Sequence, residues 1–232
     1  MSLLQALQVA RVVQALASNE TMGAFLPMTS LERQPKSDDQ LRVEAIRSPA
    51  ELQELWAIDN AAYGEASITY EKFLDWWSSF PLGLWALFYQ KRVMGAIGIW
   101  PLSIRTARLL KSAKLKESHL SGTMMRRFTQ RPTRFWYVSG LVLQPQLAGS
   151  RAIRTLFSEG IGSWLRRTKI EFPCQLLTLA YLAESELLLE TFRFSRIQNA
   201  TAMPDHVPLY GLELSTREQF ILLLKDRGLE LT

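Results

Sequence analysis

FWYVSGLVLQPQLAGSRAIRTLFSEGIGSWLRR, residues 135–167, is the stretch that decides the fold. Its first nine residues are rich in aromatic and β-branched side chains, which suit a strand. Pro145 and Gly149 then predict a break, because proline has no ladder N–H and glycine tolerates a turn. From Ser150 onward the apolar residues fall three or four positions apart, which predicts an amphipathic helix. A helix that leaves a loop of small residues directs its first N–H groups at an anion such as phosphate.

Gly140 lies inside the predicted strand, where a glycine often marks a bulge or a close backbone approach. A bulge would separate the strand from its neighbour and leave backbone groups for an extended ligand. Together with a phosphate-binding helix, this predicts a long ligand that ends in a diphosphate, such as coenzyme A. The same residues also fit an ordinary β–α unit of the core.

The composition is that of a globular protein with one sizeable core. Of 232 residues, 47% are hydrophobic and 21% are charged, and the net charge is +5. Cys174 is the only cysteine, which excludes an internal disulfide and favours a reducing, cytoplasmic compartment. With only His119 and His206 as histidines, the sequence does not predict a metal site. No apolar run reaches the roughly 18 residues of a membrane span.

The first forty residues look like an appendage rather than part of the domain. Ser2–Ser18 is broadly apolar and lacks the positive start of a signal peptide, which predicts a helix that packs on the body or on a second subunit, as in a homodimer. Binding to a membrane surface is the alternative. Residues 29–40 are polar and contain Pro35, which is typical of a linker. The domain is therefore expected to begin at Leu41.

The other elements follow from periodicity and caps. Ser48 and Thr69 are predicted helix starts, and Lys91-Arg92 separates the two strands of a predicted hairpin. The remaining predictions are strands over residues 41–46, 84–90, 93–100, 175–181, 194–198 and 209–214, a short helix over 184–190, and a C-terminal helix within 215–232.

Residues 103–134 form a basic insertion with nine lysines and arginines against one acid, Glu117. One interpretation is a solvated, mobile surface segment. The others are contact with an acidic protein, with the phosphates of a nucleotide ligand, or with nucleic acid. Phe128 is the only phenylalanine, tyrosine or tryptophan in the segment, so stacking on single strands has little support and nucleic acid is not favoured.

The order of the predicted elements resembles that of the GNAT family of acyl-CoA N-acyltransferases, over residues 41–214. Three local matches support the resemblance. Leu141–Pro145 resembles the family's strand into its V-x-P step, Ala148–Ile153 occupies the place of its pyrophosphate loop, and Ser185–Phe194 looks like its A-x-x-L-Y-x-x-x-G-F ending. The chain departs from the motifs at Ala148, at Leu189 in place of a tyrosine, and at Arg193 in place of a glycine.

The resemblance implies an α/β (α+β) fold with a mixed, mostly antiparallel sheet of about six to seven strands. It implies acetyl-CoA or another acyl-CoA as co-substrate and direct attack by an amine of a small molecule or protein. An N–H near Leu143 is the expected oxyanion donor. The expected CoA-binding residues are Leu141, Val142, Leu143, Ala148, Gly149, Ser150, Arg151, Ala152 and Ile153.

Proton transfer requires a base for the amine and an acid for the thiolate. Glu184, Tyr181 and Ser185 are the predicted catalytic residues. Asp59 and Glu65 are alternative bases, and Tyr137 is an alternative acid. Two other functions stay open: transfer from an acyl carrier protein, whose acidic surface would suit the basic insertion, and a GNAT-like binding module without chemistry.

Overall fold

The computed structural model describes residues 41–64, 67–125, 128, 130–144, 150–181 and 183–231, except for the side chains of Ser150, Ala183 and Glu184. The predicted N-terminal helix and linker lie outside these residues. None of the described helices is long and apolar enough to cross a membrane.

The described chain contains seven strands and seven α-helices. The strands are β1 (Leu41–Ala45), β2 (Leu84–Tyr89), β3 (Arg92–Leu102), β4 (Thr133–Leu143), β5 (Ile170–Leu179), β6 (Ser195–Gln198) and β7 (Leu209–Leu214). The helices are α1 (Pro49–Tyr63), α2 (Tyr70–Ser79), α3 (Ile104–Lys111), α4 (Gly122–Met125), α5 (Ser150–Arg167), α6 (Ala183–Thr191) and α7 (Arg217–Lys225).

One sheet contains all seven strands, in the order β1-β2-β3-β4-β5-β7-β6. Only the pair β4–β5 is parallel, and α5 makes the crossover between them. The sequence-based prediction of a mixed, mostly antiparallel sheet of six to seven strands is confirmed.

Local signals place the first helices and the hairpin. Ser48 accepts a hydrogen bond from the Glu51 amide, and the Glu51 carboxylate accepts one from the Arg47 amide, which is a capping-box arrangement at the start of α1. The predicted hairpin is confirmed, but its turn lies one residue earlier than expected. Gln90 and Lys91 both have positive φ, as a two-residue turn between twisted strands requires.

The two faces of the sheet are packed by different helices. On one face, Trp76 of α2 makes edge contacts with Trp100 and Tyr137. On the other face, Trp136 packs against Trp164 of α5, and Phe220 of α7 contacts Trp164 in turn. These two aromatic clusters anchor the middle of β4 from both sides of the sheet.

The basic insertion folds onto the α2 face of the sheet, so the interpretation as a solvated, mobile segment is wrong for its described part. Its inner side is buried, including Thr106, Leu110, Leu115, Glu117 and Leu120. Several of its cations are exposed, namely Arg105, Arg108, Lys114, Lys116 and Arg131. Since β4 begins at Thr133, the insertion ends two residues earlier than predicted.

Candidate active site

The predicted bulge in β4 is present. The register of β3 and β4 pairs Gly98 with Gly140 but Ile99 with Val138, so Ser139 is an extra residue on β4. Gly140 has φ +156°, which L side chains rarely adopt. Gly98 makes room for the bulge, because a Cβ there would lie 2.3 Å from the Ser139 Oγ. That oxygen accepts a hydrogen bond from the Trp100 indole at 2.9 Å.

β4 and β5 pair only over the first part of their length. In these fully described strands, the last pair is Tyr137 with Leu177, whereas β4 continues to Leu143 and β5 to Leu179. The Leu141 carbonyl, in the unpaired stretch, accepts a hydrogen bond from the Tyr63 hydroxyl at 2.9 Å. The sheet therefore opens into a wedge whose apex is the Tyr137–Leu177 pair.

A cavity of about 180 Å³ lies at this wedge and is lined by residues from both sides of the sheet. Its polar lining includes Asp59, Tyr63, Ser67, Glu117 and Tyr181. Its apolar lining comes mostly from α5, α6 and the residue after it, α7 and the facing strands, with Ile68 and Phe73 on the α2 side. It includes Phe157, Ile161, Trp164, Leu176, Leu188, Leu189, Phe192, Leu212, Phe220 and Leu224.

Glu117 is the best-positioned ionisable group of the cavity. It is buried, and one carboxylate oxygen accepts a hydrogen bond from the Tyr137 hydroxyl at 2.6 Å. The other oxygen accepts one from the Tyr181 hydroxyl at 2.5 Å. Tyr137 is the last residue of β4 that pairs with β5, and Tyr181 follows β5 by two residues. The carboxylate therefore bridges the two strands where they diverge.

The environment of Glu117 raises the pKa of its carboxyl toward neutral pH. Burial raises the pKa of its carboxyl from 4.5 to about 7, against the opposing effect of the two tyrosine hydrogen bonds. Nearby Asp205 and Asp59 add to the rise in this pKa. Burial and the Glu117 charge also raise the pKa of Tyr137 and of Tyr181, so both phenols are protonated when they donate. A carboxylate with a pKa near the working pH is suited to general base catalysis.

Two more carboxylates lie beside Glu117. Asp59 accepts a hydrogen bond from the Ser67 hydroxyl at 2.6 Å, and burial raises its pKa. Asp205 accepts a hydrogen bond from the Glu117 amide at 2.9 Å, which fixes the turn that carries Glu117. A surface depression that includes Ser67, Lys72, Ser118, Asp205 and Val207 reaches Glu117 and Tyr181 from outside.

The predicted catalytic residues are only partly brought together. Tyr181 and Ser185 line the cavity, and Asp59 lies in its polar lining. The side chain of Glu184 and the whole of Glu65 lie outside the described residues. Tyr137 and Tyr181 both donate to Glu117, but of the two only Tyr181 lines the cavity.

Sequence reasoning missed Glu117 as a site residue. The available signal was its isolation as the one acid among nine cations of residues 103–134. Its hydrogen-bond partners lie 20 and 64 residues away in the sequence, so no local motif could indicate them.

Of the predicted CoA-binding residues, Leu141, Val142 and Leu143 lie on the part of β4 that extends beyond its pairing with β5. Leu141 lines the cavity, while Val142 and Leu143 are buried and lie opposite Ala96 and Gly95 of β3. At Gly95 the backbones of β3 and β4 approach closely, because a Cβ there would lie 2.2 Å from the Val142 carbonyl oxygen.

At the start of α5 the side chains differ in exposure. Arg151 is exposed, while Ala152 and Ile153 are buried, so the latter two offer only backbone groups to a ligand. The helix begins at Ser150 as predicted, whereas Ala148 and Gly149 lie outside the described residues. Among the described residues, no group of histidine, cysteine and acidic side chains could hold a metal ion.

Comparison with known proteins reveals likeness in structure rather than in sequence. No family model matches the sequence, and no curated protein matches it significantly. The structure is similar to the loading GNATL domain of CurA from Lyngbya majuscula, with a TM-score of 0.58 and 11% identity over 75% of this chain and 97% of that chain.

Two further solved structures are similar. The NatC complex bound to Gag peptide and CoA has a TM-score of 0.52 and 12% identity over 76% of this chain and 99% of that chain. The GphF GNAT-like decarboxylase in complex with isobutyryl-CoA has a TM-score of 0.51 and 13% identity over 74% of this chain and 98% of that chain. With its bulged β4 and its split between β4 and β5, this chain therefore has the GNAT fold.

Proposed function

We propose that the protein transfers an acyl group from an acyl-CoA to an amine of a small molecule or a protein. The observation that carries this proposal is the Glu117 carboxylate, which is fixed over the point where β4 and β5 separate. At this point a thioester in the wedge and a base meet inside one cavity.

The wedge suits the donor. Strand β4 has backbone groups beyond Tyr137 that are not paired with β5, and a pantetheine arm is an extended chain with two amides that can bond to them. The first turn of α5 lies at the far end of this stretch, where its amides and the dipole favour a diphosphate. Arg151 in that turn adds a cation. Two of the similar structures contain CoA or isobutyryl-CoA, which supports the same ligand class here.

The polar side of the cavity suits the acceptor. Asp59 and Asp205 lie close enough to Glu117 to raise its pKa, and together these carboxylates favour the approach of an ammonium group. The depression that includes Ser67, Lys72 and Ser118 gives an approach from solvent to Glu117 that does not cross the wedge. Donor and acceptor can therefore enter from different sides.

The chemistry is a direct acyl transfer. The ammonium first loses one proton to water, because a protonated nitrogen has no lone pair. The neutral amine nitrogen then attacks the thioester carbonyl carbon, the C–N bond forms, and the C–S bond breaks as the tetrahedral intermediate collapses. Glu117 as carboxylate takes the proton that the nitrogen loses. Tyr181 gives its hydroxyl proton to the departing thiolate and regains one from Glu117 through their hydrogen bond. Products are an amide and free CoA, and the enzyme returns to its starting protonation.

A donor carried by an acyl carrier protein is the second candidate. The exposed cations Arg105, Arg108, Lys114 and Lys116 of the basic insertion favour it, since a carrier protein is acidic. This donor would deliver the same pantetheine thioester to the same wedge. Both donors are anionic, so high salt should slow both reactions. Only the carrier protein would cover the exposed cations of the basic insertion, and replacement of these cations should slow only the carrier-dependent reaction.

The test is binding followed by turnover. Titration calorimetry should detect the binding of CoA to the protein. CoA at about 100 times its Kd should also raise the free energy of unfolding by roughly 2.7 kcal/mol. Release of free thiol from acetyl-CoA, hexanoyl-CoA and acyl carrier protein is then measured with a panel of primary amines and peptides. Binding with no amine-dependent thiol release would reduce the protein to a binding module. No binding of either donor would overturn the proposal.

A further inference from the structure

The cavity continues past the wedge into an apolar compartment on the α5 face of the sheet. We call this compartment the inner chamber and define it by Ile161, Trp164, Leu176, Leu212, Phe220 and Leu224, all of which line the cavity. The register of the strands shows that the inner chamber lies on the α5 face of the sheet. Leu176 lies beside Trp136 in the parallel ladder, and Trp136 packs on Trp164 of α5 with ring centroids 5.1 Å apart. Leu212 lies opposite Leu176 in β7.

The inner chamber differs chemically from the other half of the cavity. Its six residues are each at most 7% exposed and none carries a charge. The charged residues that line the described cavity are Asp59 and Glu117, and Glu117 is bonded to Tyr137, on the α2 face. A group that enters the inner chamber therefore loses contact with water and meets no ionised side chain.

A thioester carbonyl at the apex of the wedge has the polar side of the cavity on one side and the inner chamber on the other. The amine must come from the polar side, because Glu117 is the base and the outside depression leads to it. The acyl chain is then left with the inner chamber. The polar side and the inner chamber together measure about 180 Å³, and a two-carbon acetyl group would occupy a small part of that volume. Unfilled apolar space costs stability, so the chamber fits a larger apolar occupant.

We propose that the inner chamber holds the hydrocarbon part of the donor and that the natural acyl group is of medium length and apolar rather than acetyl. This inference rests on the proposed function, since it presupposes a CoA or pantetheine thioester in the wedge. It adds the class of acyl group. It also gives α7 a role, because Phe220 and Leu224 of this helix are part of the chamber wall.

The first expectation concerns affinity in the unaltered, full-length protein. Each methylene that moves from water into the chamber should tighten binding about fourfold, since burial of a methylene contributes ~0.8 kcal/mol. Calorimetric Kd values for CoA, acetyl-CoA, butyryl-CoA, hexanoyl-CoA and decanoyl-CoA should therefore fall along the series until the chamber is full. CoA itself should bind, because the wedge and the start of α5 do not depend on the acyl group.

The second expectation concerns variants that change the chamber volume. Leu224→Phe places a larger ring at a buried chamber position, and Leu222→Phe makes the same change at a position on α7 that is 59% exposed. Leu224→Phe should abolish the preference for hexanoyl-CoA over acetyl-CoA, whereas Leu222→Phe should keep it. Phe220→Leu enlarges the chamber and should move the preference toward decanoyl-CoA. The ligand-free Tm and the CoA affinity of each variant establish that it is folded.

The outcomes separate this inference from the proposed function. A rising affinity from acetyl-CoA to hexanoyl-CoA that Leu224→Phe removes and Leu222→Phe retains supports the assignment. Tight binding of CoA with equal affinity for all esters would overturn the chamber assignment and leave the acyltransferase proposal in place. Failure of CoA and of every ester to bind would overturn both. If Leu224→Phe does not fold, the shift caused by Phe220→Leu decides, and no shift would overturn the assignment.

Discussion

Tyr181 donates a 2.5 Å hydrogen bond to Glu117, although 64 residues separate them in the chain. Glu117 comes from the segment between β3 and β4, and Tyr181 follows β5. Because Glu117 also accepts a hydrogen bond from Tyr137 of β4, the two bonds together connect β4 with the end of β5 where these strands separate. The bond with Tyr181 places a proton acceptor and a proton donor next to each other at the position proposed for the thioester.

Replacement of Glu117 by glutamine is the most direct test of the proposed base. Glu117→Gln keeps the size of the side chain and removes the acceptor for the amine proton, so we expect kcat/KM to fall by roughly 10²–10⁴-fold. In the unaltered protein kcat/KM should rise with pH through about 7, where Glu117 loses its proton, and the variant should lack this limb. CoA affinity should not change. Glu190→Gln, an exposed position on α6, is the matched control. Equal rates for Glu117→Gln and the control would remove Glu117 from the mechanism.

The two tyrosines that bond to Glu117 should have separable effects. Each phenol stabilises the carboxylate, so Tyr137→Phe and Tyr181→Phe should both raise the pKa of Glu117 and move the acidic limb of the rate profile to higher pH. Only Tyr181 is proposed to protonate the thiolate. Its loss should therefore also lower the rate at high pH, whereas Tyr137→Phe should approach the rate of the unaltered protein there. Identical profiles for the two variants would argue against a separate role for Tyr181.

The buried carboxyl of Glu117 also makes stability depend on pH. Its pKa rises from 4.5 to about 7 on folding, so the folded protein binds more protons than the unfolded chain between these values. The free energy of unfolding should therefore decrease as pH rises through this window, in total by on the order of 3 kcal/mol. Asp59, whose pKa is also raised by burial, acts in the same direction. Guanidinium unfolding at about pH 5 and about pH 8 should reveal a smaller decrease in Glu117→Gln. An equal decrease in both proteins would contradict the assignment.

The bulge could be predicted from sequence because its cause is local. Glycine packs no side chain and weakens a strand, so a glycine among aromatic and β-branched residues indicates a bulge or a close approach. Gly140 indeed has a backbone conformation that disfavours side chains. The start of α1 could be predicted for the same reason, since the Ser48 and Glu51 caps act over three residues. The position of the helix α5 followed from the break at Pro145 and Gly149 together with the apolar periodicity after it.

The base and the inner chamber could not be predicted because they depend on contacts between distant segments. One partner of Glu117 lies on β4 and the other follows β5, so both contacts depend on the long-range fold. The chamber needs Phe220 of α7 to meet Trp164 of α5, and each residue alone is typical of any amphipathic helix. The one local hint was the isolation of Glu117 among cations.

Gly140 should be required for the wedge. Gly140→Ala forces a side chain into φ +156°, and we expect a loss of roughly 1–3 kcal/mol in the free energy of unfolding. A steric clash is not the cause of this loss, because the nearest atom to the new Cβ would be the Tyr63 hydroxyl oxygen at 3.7 Å. Relief of the strain would flatten the bulge, so calorimetry should also show weaker CoA binding. Gly228→Ala, at φ +69° after α7, should lose stability but keep CoA affinity. Unchanged CoA affinity in Gly140→Ala would mean that CoA binding does not depend on the bulge.

Arg193 should be replaceable by glycine with a gain in stability. It adopts φ +61° two residues after the end of α6, at the position where the resembled motif has glycine. Its amide donates to the Glu190 carbonyl and the Phe194 amide donates to the Leu189 carbonyl, which is how a helix ends on a left-handed residue. A side chain there costs about 1 kcal/mol, and the exposed contact with Asp226 at 3.9 Å offsets little of it.

Arg193→Gly is therefore expected to raise the Tm by about 2–4 °C for a chain of this size, measured by calorimetry. Arg193→Ala removes the same contact with Asp226 but keeps the strained backbone, and it should leave the Tm nearly unchanged. A glycine variant no more stable than the alanine variant would mean that the left-handed conformation carries no cost here. Because α6 lines the cavity through Leu188 and Leu189, CoA affinity should be recorded for both variants, and we expect it to be the same in each.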